Sequence, residues 1–364
     1  MRRFLILVLF SAVGCCRCSD KLDSICKKLF PSDEPGAAVL VMIGDSVVFD
    51  RGYGLADIGT KAKIDGNTFF NIASVSKQFT TVAIMQLQRM GKLSIDDPVS
   101  KYFPKFEADF WKDITLGQLM SHSSGIPDAR HYSREEKIYG DEALSVNYMD
   151  TLSYVHFAPG SAYEYINPTF VLLGYIVEKV SGQLFTEYMD EHVFQPAGMS
   201  RTLYFDRDHQ YRIPNMAHGY AKLDAMPRTW VEYDFGEETF FATRPDGGIY
   251  TSTHEFAQWE RSLRNAVVLS RESIEDAQSP HTLVSGSPWS DYQNRPNTWY
   301  GYGWFIEPAT DSTDTVVYHT GDNGGFKIIA ARYPDSEALV LIFANRADWD
   351  RYSLLQQVES IYGL

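Results

Sequence analysis

The stretch NIASVSKQFTTVAIMQL, residues 71–87, decides how the rest of the chain is read. Val75, Phe79, Val82, Ala83, Met85 and Leu87 are spaced for a largely buried helix that runs to about Met90 and is closed by Gly91. Ser74 falls at the first turn of that helix and Lys77 one turn in, an S-x-x-K spacing. Two readings fit. A serine at a helix N-terminus meets free backbone N–H groups and the positive end of the dipole, which favour negative charge on its oxygen. A lysine three residues on, desolvated inside an apolar helix, has its pKa lowered and can act as a base. The other reading is an N-cap serine followed by a lysine that snorkels to water.

The same spacing occurs at Ser24 and Lys27. In DKLDSICKKLF, residues 20–30, Leu22, Ile25, Cys26, Leu29 and Phe30 recur at three- and four-residue steps, so Ser24 and Lys27 belong to the polar face of an amphipathic helix. Upstream, MRRFLILVLFSAVGCCRCSD has Arg2 and Arg3, an apolar run from Phe4 to about Val13, then small residues. Residues 1–19 therefore read as an export signal, too short to span a bilayer permanently. Ala12-Val13-Gly14-Cys15 resembles a bacterial lipobox, which would make Cys15 a lipid-anchored N-terminus; plain cleavage near Gly14 or Ser19 is the alternative. The expectation is an exported protein, periplasmic or held to the membrane as a lipoprotein, with secretion left open.

Composition bounds the remainder. The 364 residues are 44% hydrophobic and 22% charged, enough to bury a sizeable core. A formal charge of −14 argues against nucleic acid or an anionic membrane as the main partner, since phosphates demand Lys/Arg-rich surfaces. The four cysteines, Cys15, Cys16, Cys18 and Cys26, all lie near the N-terminus, so disulfide scaffolding, thiol catalysis and thiolate metal sites are set aside for the main domain.

Further along, GAAVLVMIGDSVVFDRGYG (36–54) signals a hairpin, Ala38 to Ile43 and Val47 to Phe49 around Gly44-Asp45-Ser46. ITLGQLMSHSSGIPD (114–128) reads as a short helix ending in a Ser/Gly/Pro loop. In YEYINPTFVLLGYIVEKVSG (163–182), Pro168 disfavours the α conformation at Asn167, so Tyr165-Ile166-Asn167 is expected on a non-helical elbow before a helix over Phe170 to Val180. TVVYHTGDNGGFKIIAARYPDSEALVLIFANR (315–346) reads as strands near 315–320, 326–333 and 338–344, with His319-Thr320-Gly321 ending the first. The aromatic run WYGYGWF (299–305) reads as a strand lining or backing a cleft, or alternatively as a sugar- or aromatic-binding platform. Gly247-Gly248 and Gly324-Gly325 read as tight turns between strands, since neither is followed by the Lys-Ser/Thr of a phosphate cradle.

Ser74-x-x-Lys77, Tyr165-x-Asn167 and His319-Thr320-Gly321, in that order, resemble the three motifs of the penicillin-recognising serine hydrolases, and within them the class C β-lactamase-related group, which includes D,D-peptidases, D-amino-acid-specific peptidases and esterases. GYGLAD (52–57), LMSHSSGIPD (119–128), VFQPAGMSRT (193–202), DGGIYTSTHEFAQW (246–259) and HTGDNGGF (319–326) match as flanks, so the resemblance runs from about Leu22 to the end. A second Tyr-x-Asn, at Tyr292-Gln293-Asn294, belongs to no such set.

The resemblance implies an α/β (α+β) fold of the β-lactamase/transpeptidase kind, an antiparallel sheet flanked by helices with an all-helical lobe inserted. Strands at both ends of residues 20–364 place the α/β lobe in 20–94 and 226–364 and the mainly helical lobe in 95–225, with the Ser74 helix at their junction. It further implies that Ser74 is the nucleophile of an acyl-enzyme, while Lys77 and Tyr165 share its proton. A phenol titrates near 10, so Tyr165 would need a neighbouring cation to serve as a base. Asn167 would orient Lys77 and bind the acyl side, and His319 and Gly321 would contact substrate from an edge strand. The N–H groups of Ser74 and Asp322 would form the oxyanion hole. No cofactor or metal is implied; the partner would be a small-molecule or peptide substrate.

His319 departs from the family pattern, because β-lactamases and D,D-peptidases commonly place lysine there to bind a substrate carboxylate. Histidine is only partly charged at neutral pH, and the acidic Asp322 beside it opposes an anion further. Esterase, amidase or D-amino-acid peptidase activity is therefore the expectation, with a β-lactamase, a D,D-carboxypeptidase, or a non-catalytic penicillin-binding-like protein as alternatives. Other chemistries lack their signatures: there is no G-x-S-x-G, H-E-x-x-H or H-x-H. His122 in SHSSG admits a Ser-His reading, against which stands a structural hydrogen-bonding role in its loop.

Overall fold

The apolar stretches 37–43 and 338–344 have no polar alternation, the mark of strands covered on both faces. The computed structural model, which describes residues 12–128, 142–204, 213, 215–222, 229–233, 243–290, 297–311 and 313–364, pairs these two stretches side by side. Its main sheet contains β1 (Ala37–Ile43), β2 (Ser46–Tyr53), β3 (Thr282–Leu283), β4 (Trp299–Tyr300), β5 (Phe305–Glu307), β6 (Val316–Asn323), β7 (Phe326–Tyr333) and β8 (Ala338–Ala344). Their order is β3-β4-β5-β6-β7-β8-β1-β2, antiparallel throughout. The first hairpin thus closes onto the last strand, with Val39 opposite Ile342. Gly44, at a φ of 56°, makes the hairpin turn.

The period of two divides the strands between two cores. Ala38, Leu40, Met42, Ile328, Leu341 and Phe343 face one, together with α2 (Lys77–Arg89) and α8 (Thr253–Arg264). Val39, Val41, Ile329, Val340 and Ile342 face the other, where α1 (Ala12–Leu29) and α10 (Arg351–Tyr362) supply Leu22, Cys26, Leu354 and Val358, joined by Phe30 just after α1. Between β2 and β3 in sequence lie α3 (Leu116–Met120), α4 (Glu142–Asp150), α5 (Asn167–Ser181), α6 (Phe185–Met189), α7 (Arg244–Gly247), α8 and α9 (Arg271–Ala277). The apolar face of α5, including Phe170, Leu172, Leu173 and Ile176, shares the first core with Phe79, Val82 and Ala83 of α2.

Several local expectations need correction. The helix expected from Phe170 begins at Asn167, because proline lacks only an N–H that the first helical turn leaves unpaired anyway. The elbow is therefore Tyr165–Ile166, with Ile166 extended at φ −131°, ψ 113°. The third motif does not end its strand: β6 continues to Asn323. Nor is β6 an edge strand, since β5 and β7 flank it. β5 pairs only with Val316–Tyr318, however, which leaves β6 uncovered by β5 from His319 onward. WYGYGWF forms two short strands with a turn between them, and Tyr300, Trp304 and Phe305 are buried, so it backs the site rather than offering a platform. Gly324-Gly325 turns β6 into β7, but Gly247-Gly248 closes α7 instead of joining two strands.

At the N-terminus α1 starts at Ala12 and runs through Cys15. Ser24 and Lys27 are exposed, with Lys27 paired to Asp23 at 2.6 Å, so the first S-x-x-K lies on the wet face. Among the described residues no helix is long and apolar enough to cross a membrane. Tyr292-Gln293-Asn294 lies outside the described residues.

Candidate active site

The short strand Phe70–Asn71 pairs with Ile249–Thr251, and the chain then turns sharply into a 3-10 turn, Ala73–Ser76, that feeds α2. Ala73 has a φ of 46°, unusual for a residue with a side chain, and Asn71 Oδ1 holds it by accepting its N–H at 2.9 Å. This turn leaves Ser74 half-buried just ahead of α2, one short turn earlier than a simple helix start.

Lys77 is fully buried. Its Nζ donates to Ser74 Oγ at 3.1 Å, to Asn167 Oδ1 at 2.7 Å and to the Asp246 carbonyl at 2.8 Å, three acceptors for the three protons of an ammonium. The Asp246 carbonyl is fixed in turn by its neighbours: Thr80 Oγ1 donates to Pro245 O at 2.6 Å, and Ile249 N donates to Ser76 Oγ at 3.2 Å. Lys77 also lies 4.9 Å from the centre of the Tyr165 ring, within cation–π range. The first and second motifs are thereby brought together as the sequence predicts.

The Tyr165 elbow is held from the loop after α3. His122 is buried, accepts the Glu164 N–H on its carbonyl at 2.9 Å and accepts the Ile166 N–H on Nδ1 at 3.2 Å, so it is a hydrogen-bonding loop residue.

His319 reaches the same region, its ring 6.2 Å from that of Tyr165. Both of its nitrogens are engaged: Nδ1 donates to the Thr320 carbonyl at 2.6 Å, which leaves Nε2 to accept the Tyr300 hydroxyl at 2.8 Å. Burial, reinforced by the charge of Lys77, pushes the imidazole pKa down to about 3. The ring is neutral near pH 7, not partly charged as its residue type suggests.

Gly321 serves close approach. A Cβ there would stand 2.2 Å from the Ile72 carbonyl oxygen and 3.1 Å from Ala73 Cβ, so only glycine lets the uncovered end of β6 lie against the Ser74 turn. Asp322 follows, and its carboxylate pairs with Arg351, whose buried guanidinium also donates to the Ile328 carbonyl at 2.9 Å. The acid expected to repel anions is therefore charge-compensated.

Sequence reasoning missed Asp246, whose contribution is a backbone carbonyl with no residue-type signature. It also missed Tyr300, Asn71 and Arg351. Tyr300 was visible only as part of an aromatic run, and Arg351 only as a basic residue after the last strand.

The Beta-lactamase family description matches residues 27–360. Penicillin-binding protein 4* of Bacillus subtilis (strain 168) is 26% identical over 352 residues, covering 93% of this chain and 75% of that protein. Protein flp of Staphylococcus aureus (strain MW2) is 27% identical over 327 residues; the match covers 85% of this chain but only 59% of that relative's length. Among solved structures, the octameric penicillin-binding protein homologue from Pyrococcus abyssi superposes with a TM-score of 0.80 at 26% identity, over 94% of this chain and 77% of that one. The chain belongs to the Beta-lactamase family, a family of serine hydrolases.

Proposed function

We propose that the protein hydrolyses carboxylic esters or amides, including D-amino-acid peptides, through an acyl-enzyme on Ser74, and that it prefers acyl groups without a carboxylate. The observation that carries this reading is the Lys77 ammonium bridging Ser74 Oγ and Asn167 Oδ1 in a buried site. In the proposed step the pair reacts as a Lys77 ammonium beside a Tyr165 phenolate: Ser74 Oγ attacks the carbonyl carbon as its proton passes to the Tyr165 oxygen, whose negative charge Lys77 stabilises, and the N–H groups of Ser74 and Asp322 receive the oxyanion. The same pair returns the proton to the leaving oxygen or nitrogen. Water then attacks the acyl carbon and gives its proton back by the reverse route. Asn167 orients Lys77 and meets the acyl side of the substrate.

The preference for a neutral acyl group follows from the third motif. His319 is uncharged and has both nitrogens occupied, while Arg351 is committed to Asp322 and to backbone carbonyls. Neither offers the fixed cation that the carboxylate of a penicillin, which stays on the acyl product, or that of the departing D-alanine of a D-Ala-D-Ala peptide would require, so the preference extends to the leaving side as well. The second reading, a β-lactamase or D,D-carboxypeptidase, is favoured by the relative named as a penicillin-binding protein. Assaying p-nitrophenyl esters, D-amino-acid amides and a chromogenic β-lactam side by side separates the two. Turnover of the ester or amide, lost in Ser74→Ala, is expected; β-lactam turnover comparable with ester turnover would overturn the preference.

We also propose export through residues 1–19 with Cys15 as lipid acceptor, on the strength of Arg2, Arg3, the apolar run and the lipobox-like Ala12-Val13-Gly14-Cys15. Mass spectrometry of the mature N-terminus tests it: a diacylglyceryl-modified Cys15 is expected, and an unmodified N-terminus at Ser19 or beyond would refute lipidation.

A further inference from the structure

We propose that His122 is the positioning residue for Tyr165, a role that rests on the hydrolase reading and extends it. His122 grips the chain on both sides of the tyrosine: its carbonyl takes the N–H of residue 164 and its Nδ1 takes the N–H of residue 166. Between these two bonds the Tyr165 ring lies 4.3 Å from the imidazole, centre to centre. Phe170 at 5.3 Å and Tyr300 at 4.8 Å close the other sides of the imidazole, so a single residue fixes the direction of the elbow and one wall of the ring's slot.

Three further features separate this role from simple packing. The backbone at His122 is left-handed, φ 54°, a conformation that a side-chain-bearing residue adopts at a cost and that clusters at functional sites. An N–H donor can bond Nδ1 only if that atom is unprotonated, so the proton of the neutral ring sits on Nε2. Nε2 is buried with no hydrogen-bond partner among the described residues, whereas a ring recruited to fill space would not bring an orphan donor into the core. Burial and the nearby Lys77 charge hold the ring neutral, which preserves the Nδ1 acceptor and keeps a second cation away from Lys77.

The test is a double-mutant cycle on ester hydrolysis, with thermal unfolding as a check on folding. Asparagine tolerates left-handed backbone, and its Oδ1 can replace Nδ1 as acceptor; leucine offers no acceptor. His122→Leu is expected to lower kcat by about 10- to 100-fold with KM within about threefold, the signature of a displaced catalytic group rather than lost binding. His122→Asn should recover to within about fivefold of wild type, and in a Tyr165→Phe background His122→Leu should cost less than about threefold. A folded His122→Leu with wild-type kcat would overturn the inference, as would an equal loss with and without the Tyr165 hydroxyl, or a His122→Asn variant as impaired as His122→Leu. Turnover by wild type that His122→Leu leaves intact would refute this inference alone. A wild type with neither turnover nor reaction with a fluorophosphonate would refute the hydrolase reading and this inference with it.

Discussion

Adding a single methyl group at position 321 probes how β6 meets the nucleophile turn. In Gly321→Ala the new Cβ would stand 2.2 Å from the Ile72 carbonyl oxygen and 3.1 Å from Ala73 Cβ. Both obstacles belong to the nucleophile turn, one of them backbone, so no flexible side chain can swing aside. An ordinary carbon–oxygen contact needs about 1 Å more room, so β6 and the Ser74 turn must separate by roughly that much. Overpacking of this kind costs about 1–3 kcal/mol of stability. The catalytic effect is larger if the Asp322 N–H completes the oxyanion hole, since a misplacement of about 1 Å costs on the order of 100-fold in rate, about 2.7 kcal/mol of barrier. Steady-state kinetics on a p-nitrophenyl ester, paired with the fluorophosphonate labelling rate, should show kcat and labelling falling together while KM changes little. A folded Gly321→Ala variant with kcat within about threefold of wild type would refute the placement of β6 in the catalytic machinery.

Asn167→Ala removes the 2.7 Å acceptor from the buried Lys77 ammonium, and a charged donor so stranded costs about 1.5–3 kcal/mol; kcat should fall at least tenfold, and an unchanged kcat would contradict the orienting role. Glu260 holds the buried Arg332 with two bonds of 3.0 and 3.1 Å between α8 and β7, so Glu260→Ala should lower unfolding free energy by about 3–5 kcal/mol in urea titration, and a loss below about 1 kcal/mol would contradict this. The folded-state pKa of His319, about 3, is below the ordinary 6.5, so the unfolded chain binds the extra proton between those values. The stability contributed by the neutral ring is complete above about pH 6.5 and lost as pH falls, at up to about 1.4 kcal/mol per pH unit. His319→Asn should therefore flatten the drop in urea midpoint between about pH 7 and pH 5, and an unaltered slope would show that His319 is not held neutral.

Periodicity made the framework readable. The buried stripe from Val75 to Leu87 located α2, and the apolar runs from Ala38 to Ile43 and over 338–344 located strands, because burial leaves a residue-type trace. Two S-x-x-K spacings were separated by the same logic: the apolar stripe turns Ser24 outward, and Ser74 opens a buried helix. What stayed hidden depends on contacts between distant segments. Lys77 bonds the carbonyl of a residue 169 positions away, and any residue type would supply that atom. His319 is kept neutral by burial and by the charge of Lys77, and Asp322 is paired with Arg351, both consequences of where β6 and α10 pack against distant segments. Pro168 was read through its effect on the preceding residue, when its tolerance of a first helical turn governed the local structure.

The central claim is that Ser74, and not Ser24, forms the covalent intermediate. Intact-protein and peptide mass spectrometry after treatment with a fluorophosphonate tests it in one measurement. One adduct is predicted, on the peptide carrying Ser74, absent from Ser74→Ala and undiminished in Ser24→Ala. An unlabelled wild type, or an adduct that persists in Ser74→Ala, would contradict it.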